Sequence, residues 1–107
     1  MSHLYIEVNG VPVPEADTLS WGRWMEHARQ EGTHHVGHDV VGDVRISTVF
    51  LGVNHSFFGE ELPILYETMI FGGPLDGEQE RYPLRVLAAE GHARWVERVK
   101  KAALATN

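Results

Sequence analysis

The segment Val44–Val53, Val-Arg-Ile-Ser-Thr-Val-Phe-Leu-Gly-Val, constrains this chain more than any other. It is rich in β-branched residues, which sit easily on a pleated strand and crowd a helix. In an extended backbone Val44, Ile46, Thr48 and Phe50 share one face, and Val49, Leu51 and Val53 share the other. Two apolar faces predict a central strand, covered at least in part on both sides. A chain built round such a strand must supply neighbouring strands and something to lay over them.

The remaining sequence supplies both. Tyr5–Val8, the turn pair Asn9-Gly10 and Val11–Pro14 predict a hairpin. Pro12 and Pro14 cannot donate ladder hydrogen bonds, which places the return arm on an edge. Asp17, Thr18 and Ser20 offer N-caps for a helix from about Leu19 to Glu31, and Gly32 suits its C-cap. Trp21, Trp24, Met25 and Ala28 fall at i, i+3, i+4 and i+7, one apolar stripe. Ile64–Phe71 predicts a second strong strand, closed by Gly72-Gly73-Pro74, and Gln79–Tyr82 a short third one after the turn pair Asp76-Gly77. Thr33–Gly42 is compatible with a strand or a loop. A last helix runs from Pro83 or Leu84 to about Ala103. Its buried stripe is expected to be Leu84, Leu87, Ala88, Gly91, Trp95, Val99 and Ala102. Glu90–Arg94 and Glu97–Lys101 are i,i+4 pairs on its solvent side. Short connections make neighbouring strands antiparallel. The expected fold is a single α+β domain over residues 1–107: a small, mostly antiparallel sheet with two helices packed on it.

Composition bounds the function. A chain of 107 residues is one domain's worth. The absence of cysteine excludes disulfides, thiolate metal sites and a cysteine nucleophile. Nine basic residues against fifteen acidic ones give a net charge of −6. That disfavours binding to a nucleic-acid backbone, which needs a basic field. The basic residues gather from Arg81 onward, where they read as a solvated face. No basic, then apolar, leader opens the chain. Ile46–Phe58, its longest nearly uncharged stretch, is too short and polar to span a bilayer. The expected location is the cytoplasm, with no membrane association.

A few residues invite a chemical reading. Glu67 shares its strand face with Leu65, Met69 and Phe71, where a carboxylate is costly unless paired or neutralised. It is either a general base or ligand contact, or half of a salt bridge to an arginine such as Arg45. His55 follows the strongest strand in a polar loop, where scaffolds present chemistry, or else caps the strand end. His92 lies one position off the stripe of the last helix and reads as a boundary residue. With Tyr66 and Arg81 these three outline a candidate ligand or partner site. His34, His35 and His38, beside Asp39, form the densest histidine cluster. Their spacing fits no strong metal signature, and on a strand only His34 and His38 would share a face. A solvated loop is the expected reading, with no metal and no cofactor. Gly72-Gly73-Pro74 lacks the phosphate-loop pattern and reads as a turn. Ser47, Ser56 and Thr68 stand in no nucleophile elbow.

One resemblance bears on origin. Ser47-Thr48-Val49-Phe50-Leu51-Gly52-Val53-Asn54-His55-Ser56-Phe57, followed by Leu65-Tyr66-Glu67-Thr68-Met69-Ile70-Phe71-Gly72-Gly73, is similar to a group of small bacteriophage and prophage proteins with no established activity. That group shares an STVFLG-type strand, a histidine loop, an FETMVFGG-type strand, and a closing helix with an alanine–glycine–histidine pattern. Here Tyr82, Ala88 or Ala89, Gly91 and His92 carry that end. The likeness covers about half the chain, from Arg45 to Val99. The group carries Leu-Asp where this chain has Val53-Asn54, so no acidic role transfers to position 54. The resemblance implies a phage or prophage protein acting in the host cytoplasm.

Three functions follow as expectations. The first is a non-enzymatic accessory module that binds a host or phage protein, with a homodimer as a natural assembly for a small sheet with an open edge. The second is a small-molecule binder, with a nucleotide among the candidate ligands and its site near His55 and Glu67. The third is a small hydrolase using His55 and Glu67 as acid and base.

Overall fold

Asn9 and Gly10 both take positive φ, 54° and 78°, the turn that matches the twist of a two-residue hairpin. They join β1 (Tyr5–Val8) to β2 (Val11–Pro14), a two-stranded antiparallel sheet. The computed structural model describes residues 3–56 and 62–105. Phe57 of the phage-protein likeness, and Phe58, lie outside those residues.

Helix α1 (Thr18–Glu31) starts where Asp17 accepts from the Ser20 amide and hydroxyl, and ends at Gly32 in the left-handed region. Both caps and the apolar stripe are as the sequence predicts. Met25 and Ala28 are buried, with Trp21 and Trp24 packed beside them. The Trp21 indole N–H lies 3.1 Å from the Tyr5 carbonyl and 3.0 Å from that of Gly52. It thereby ties α1 to β1 and to the chain leaving the main sheet.

The main sheet is a meander, β3 (His35–Val41), β4 (Val44–Phe50), β5 (Tyr66–Phe71) and β6 (Gln79–Tyr82), antiparallel throughout. Thr33–Gly42, open on sequence grounds, contributes the edge strand β3. Its pairing shifts by one residue at a bulge between His35 and Gly37. Helix α2 (Arg85–Ala105) crosses all four strands on one face. The fold is α+β, with a two-stranded and a four-stranded antiparallel sheet and two helices. None of the described helices is long and apolar enough to cross a membrane.

Between α2 and the sheet the core forms two apolar clusters. Phe50, Leu65, Tyr66, Tyr82 and Ala88 join Met25 of α1 in one, and Val44, Ile46, Ile70, Trp95 and Val99 make the other. Each fully buried Ile, Leu or Phe contributes about 1.5–3 kcal/mol through burial. The register sets a different row between them: Gly37, Thr48, Thr68 and Glu80 stand opposite one another across β3–β6.

Four expectations need correcting. His92 is buried in the stripe of α2 at 7% exposure, whereas Leu84 and Leu87 are 41% and 40% exposed. The residue facing the sheet at that turn must meet threonines, and an imidazole can bond them where leucine cannot. Second, β4 is central, but α2 covers only its inner face; Arg45 is exposed and Ser47 and Val49 are half-buried. Third, the strand face of Glu67, Met69 and Phe71 is the open one. The core takes the other face, Tyr66, Thr68 and Ile70. Fourth, the helix pairs form elsewhere: Arg94 reaches Glu80 of β6, and Lys100 meets Glu97.

Candidate functional site

The row between the two clusters is polar from end to end. The His92 ring places Nε2 2.7 Å from Asp39 Oδ2 and Nδ1 2.7 Å from Thr48 Oγ1. Thr48 and Thr68 hydroxyls are 2.6 Å apart, and the Tyr82 hydroxyl is 3.0 Å from Thr68 and 2.9 Å from Glu80 Oε1. Trp95 and Arg94 donate to the same Glu80 oxygen at 3.0 and 3.4 Å. Burial pushes the Glu80 carboxyl up, but the Tyr82 and Trp95 hydrogen bonds and the Arg94 charge outweigh it and hold the group below its ordinary value. Burial raises Tyr82, and the bond to Thr68 only partly opposes it.

Asp39, His92 and Thr48 stand in the order carboxylate, imidazole, hydroxyl, as in nucleophilic triads. Thr48 is fully buried, however, and its oxygen is engaged by Thr68 and His92. Neither of the two surface clefts described below reaches it. The arrangement therefore holds the core together and presents no nucleophile to a substrate.

A second polar cluster pins the hairpin. Glu7 of β1 accepts from the Tyr66 hydroxyl at 2.7 Å and from Arg85 Nη1 at 2.9 and 3.0 Å. The Glu7 side chain is 7% exposed and that of Arg85 35%. Burial, then the Glu7 carboxylate, push Tyr66 well above the usual tyrosine range. Glu7 and Arg85 line a cleft of about 370 Å³ with Gly10, Trp24 and Thr33. A cleft of about 480 Å³ lies along α2, lined by Glu80, Arg94, Trp95, Arg98 and Lys101 among others.

The third feature is the open face of the main sheet. Its register sets Val49 beside Glu67 and Arg81, Ser47 beside His38 and Met69, and Arg45 beside Val40 and Phe71. Arg81 Nε donates to Glu67 at 2.8 Å. The Arg45 guanidinium lies over the Phe71 ring, 4.4 Å from its centre. The bulge turns His35 to the same face as His38, with ring centres 5.5 Å apart. This corrects the expected pairing of His34 with His38, which assumed unbroken alternation. His35 is held below the ordinary imidazole value by burial first, then by His34, His38 and Arg45. No group of three or more potential ligands positioned for a metal ion occurs among the described residues.

The five residues singled out in the sequence thus fall in different places. Glu67 and Arg81 do meet, on the open face; the carboxylate's partner is Arg81, since Arg45 is taken up by Phe71. Tyr66, next in sequence to Glu67, points inward to Glu7 because successive strand residues face opposite ways. His92 joins the buried row. His55 donates through Nδ1 to the Val53 carbonyl at 3.1 Å, a strand-end cap. Glu7, Thr48, Glu80 and Arg85 were not singled out as site residues, and Asp39, Thr68 and Tyr82 were noted only in other connections: a histidine cluster, a free hydroxyl and a family likeness. The available signal was a threonine at the same inner position of both central strands, within otherwise apolar faces.

Comparison of the chain with protein-family models, curated proteins and solved structures finds no match.

Proposed function

We propose that this chain is a non-enzymatic interaction module, a small accessory protein of phage or prophage type in the bacterial cytoplasm, and that it engages a host or phage protein through the open face of its main sheet. One observation carries the reading: none of the described elements covers that face, although Phe71 and Val40 on it are 41% and 63% exposed. An arginine stacked on an aromatic ring at its margin is the kind of anchor that dominates protein interfaces. Two arginines, Arg45 and Arg81, against one glutamate, Glu67, give this face a local excess of one positive charge on a chain of net −6. It therefore suits an acidic partner surface, and the charge favours rapid encounter.

Affinity capture with paired variants tests this. A partner held by the wild type should also be held by Val86→Asp, which alters an exposed residue of α2, and should be lost by Phe71→Asp. A partner retained by Phe71→Asp removes the open face from the reading. Sedimentation of the same proteins tests homodimerisation through that face.

Small-molecule binding is a second reading, and the cleft beside Glu7 and Arg85 favours it, with the Trp24 ring available for stacking. Thermal stabilisation of the wild type by excess mononucleotide would support it; no shift would count against a nucleotide.

A further inference from the structure

The row from Asp39 to Glu80 poses a counting problem. Five contacts join six groups in series: Asp39 to His92, His92 to Thr48, Thr48 to Thr68, Thr68 to Tyr82 and Tyr82 to Glu80. All five lie between 2.6 and 3.0 Å, hydrogen-bond distances, and each requires one hydrogen. The carboxylates at the two ends only accept. Thr48, Thr68 and Tyr82 bring one hydrogen each, and a neutral imidazole brings one more. That makes four hydrogens for five contacts. While both end carboxylates stay charged, a neutral ring leaves one contact with lone pair facing lone pair, however the hydroxyls turn. Across the buried stretch from His92 to Tyr82 no other side chain among the described residues donates to these groups.

We infer that His92 is an imidazolium in the folded protein, that its charge is fixed by the carboxylate of Glu80 at the far end of the row, and that the three intervening hydroxyls form a two-state relay. In one state both ring nitrogens donate, Nε2 to Asp39 and Nδ1 to Thr48. Thr48 then donates to Thr68, Thr68 to Tyr82 and Tyr82 to Glu80. In the other state the same five hydrogens are shifted one place. Glu80 carries a proton and donates to Tyr82, every hydroxyl points back toward α2, and Nδ1 accepts. The Trp95 and Arg94 donors on Glu80 favour its charged form and hence the first state. The half-exposed Asp39 compensates the ring charge at the other end.

The ionisable surroundings are few. Asp39 faces the ring from β3, whereas His35 and His38 point to the opposite face. The inner face of β4 carries none, and that of β5 carries only Tyr66, bound to Glu7 of β1. From β6 come Tyr82 and Glu80. Helix α2 adds Arg94 at Glu80, and Arg85, which is taken up by Glu7.

Nitrogen NMR of labelled histidine in the intact chain tests the relay. At neutral pH both ring nitrogens of wild-type His92 are expected to carry hydrogen. Tyr82→Phe cuts the row between Thr68 and Glu80 and leaves three contacts, for which a neutral ring and the two threonines bring three hydrogens. In that variant Nδ1 should lose its proton while Nε2 keeps its own. A bare ring nitrogen in the wild type overturns the inference. So does a doubly protonated ring in folded Tyr82→Phe at the same pH.

Discussion

Gly37 lies directly beneath the imidazole of His92: a Cβ at position 37 would come within 2.6 Å of the ring's Cδ2. The ring cannot yield, because both of its nitrogens are bonded, to Asp39 and to Thr48. Gly37→Ala is therefore expected to cost about 1–3 kcal/mol, as overpacking of a fixed site does. A urea titration monitored by circular dichroism measures it. An unchanged midpoint would mean that the ring moves freely.

Arg85 and Glu7 make the opposite case, a buried charge that depends on its partner. Arg85→Met strands the Glu7 carboxylate with only the Tyr66 hydroxyl, and about 3–5 kcal/mol is expected to be lost. Adding Glu7→Gln should recover part of that loss, since the stranded charge is gone. Equilibrium unfolding of the two single variants and the double closes the cycle.

Glu67 provides a contrast on the open face. Its partner Arg81 remains in contact with water, so Glu67→Gln is expected to change stability by no more than about 1 kcal/mol. Thermal unfolding decides it. A loss several times larger would show that this face is covered in solution, and would point to a dimer.

Tyr66 and Tyr82 govern the alkaline side. Burial raises both hydroxyls above the ordinary tyrosine value. A group raised on folding contributes stability that is complete below its unfolded value, about pH 10, and is lost as pH climbs beyond it. Tyrosinate absorbance and loss of circular dichroism should accordingly rise together above about pH 10. Glu80 works with the reverse sign. It is depressed on folding, so its contribution is present above the ordinary carboxylate value and disappears as pH falls below it. Glu80→Gln should flatten the acid limb of the stability profile.

Much of the scaffold is legible in the residues. Asn9-Gly10, Asp17 and Gly32 each mark a boundary through local backbone chemistry, and each boundary falls where that chemistry puts it. The strands β4 and β5 follow from their β-branched content. What the sequence hid was which face of β5 is inside. One face sets the carboxylate of Glu67 beside Met69 and Phe71, the other sets Thr68 between Tyr66 and Ile70; each carries one polar residue among apolar ones, and the core chose the latter. The choice is made by residues remote in sequence, His92 on α2 and Glu7 on β1, which satisfy the Thr68 row and the Tyr66 hydroxyl. Local periodicity carries no record of such partners. The bulge at His35 is equally silent, and it alone decides which histidines stand together.

The placement of α2 gains from the same row of hydroxyls. An entirely greasy seam between helix and sheet would be nearly indifferent to a slide of one helical turn, since one aliphatic contact replaces another at little loss. Here a one-turn slide would set Ala88 or Val96 over the two threonines and leave Asp39 and Glu80 facing hydrocarbon. Only one setting of the helix keeps every oxygen in the row satisfied. The row thus acts as an index mark along the seam. A variant with aliphatic residues at 48, 68 and 92 should retain its helix and strands while losing the single fixed alignment between them.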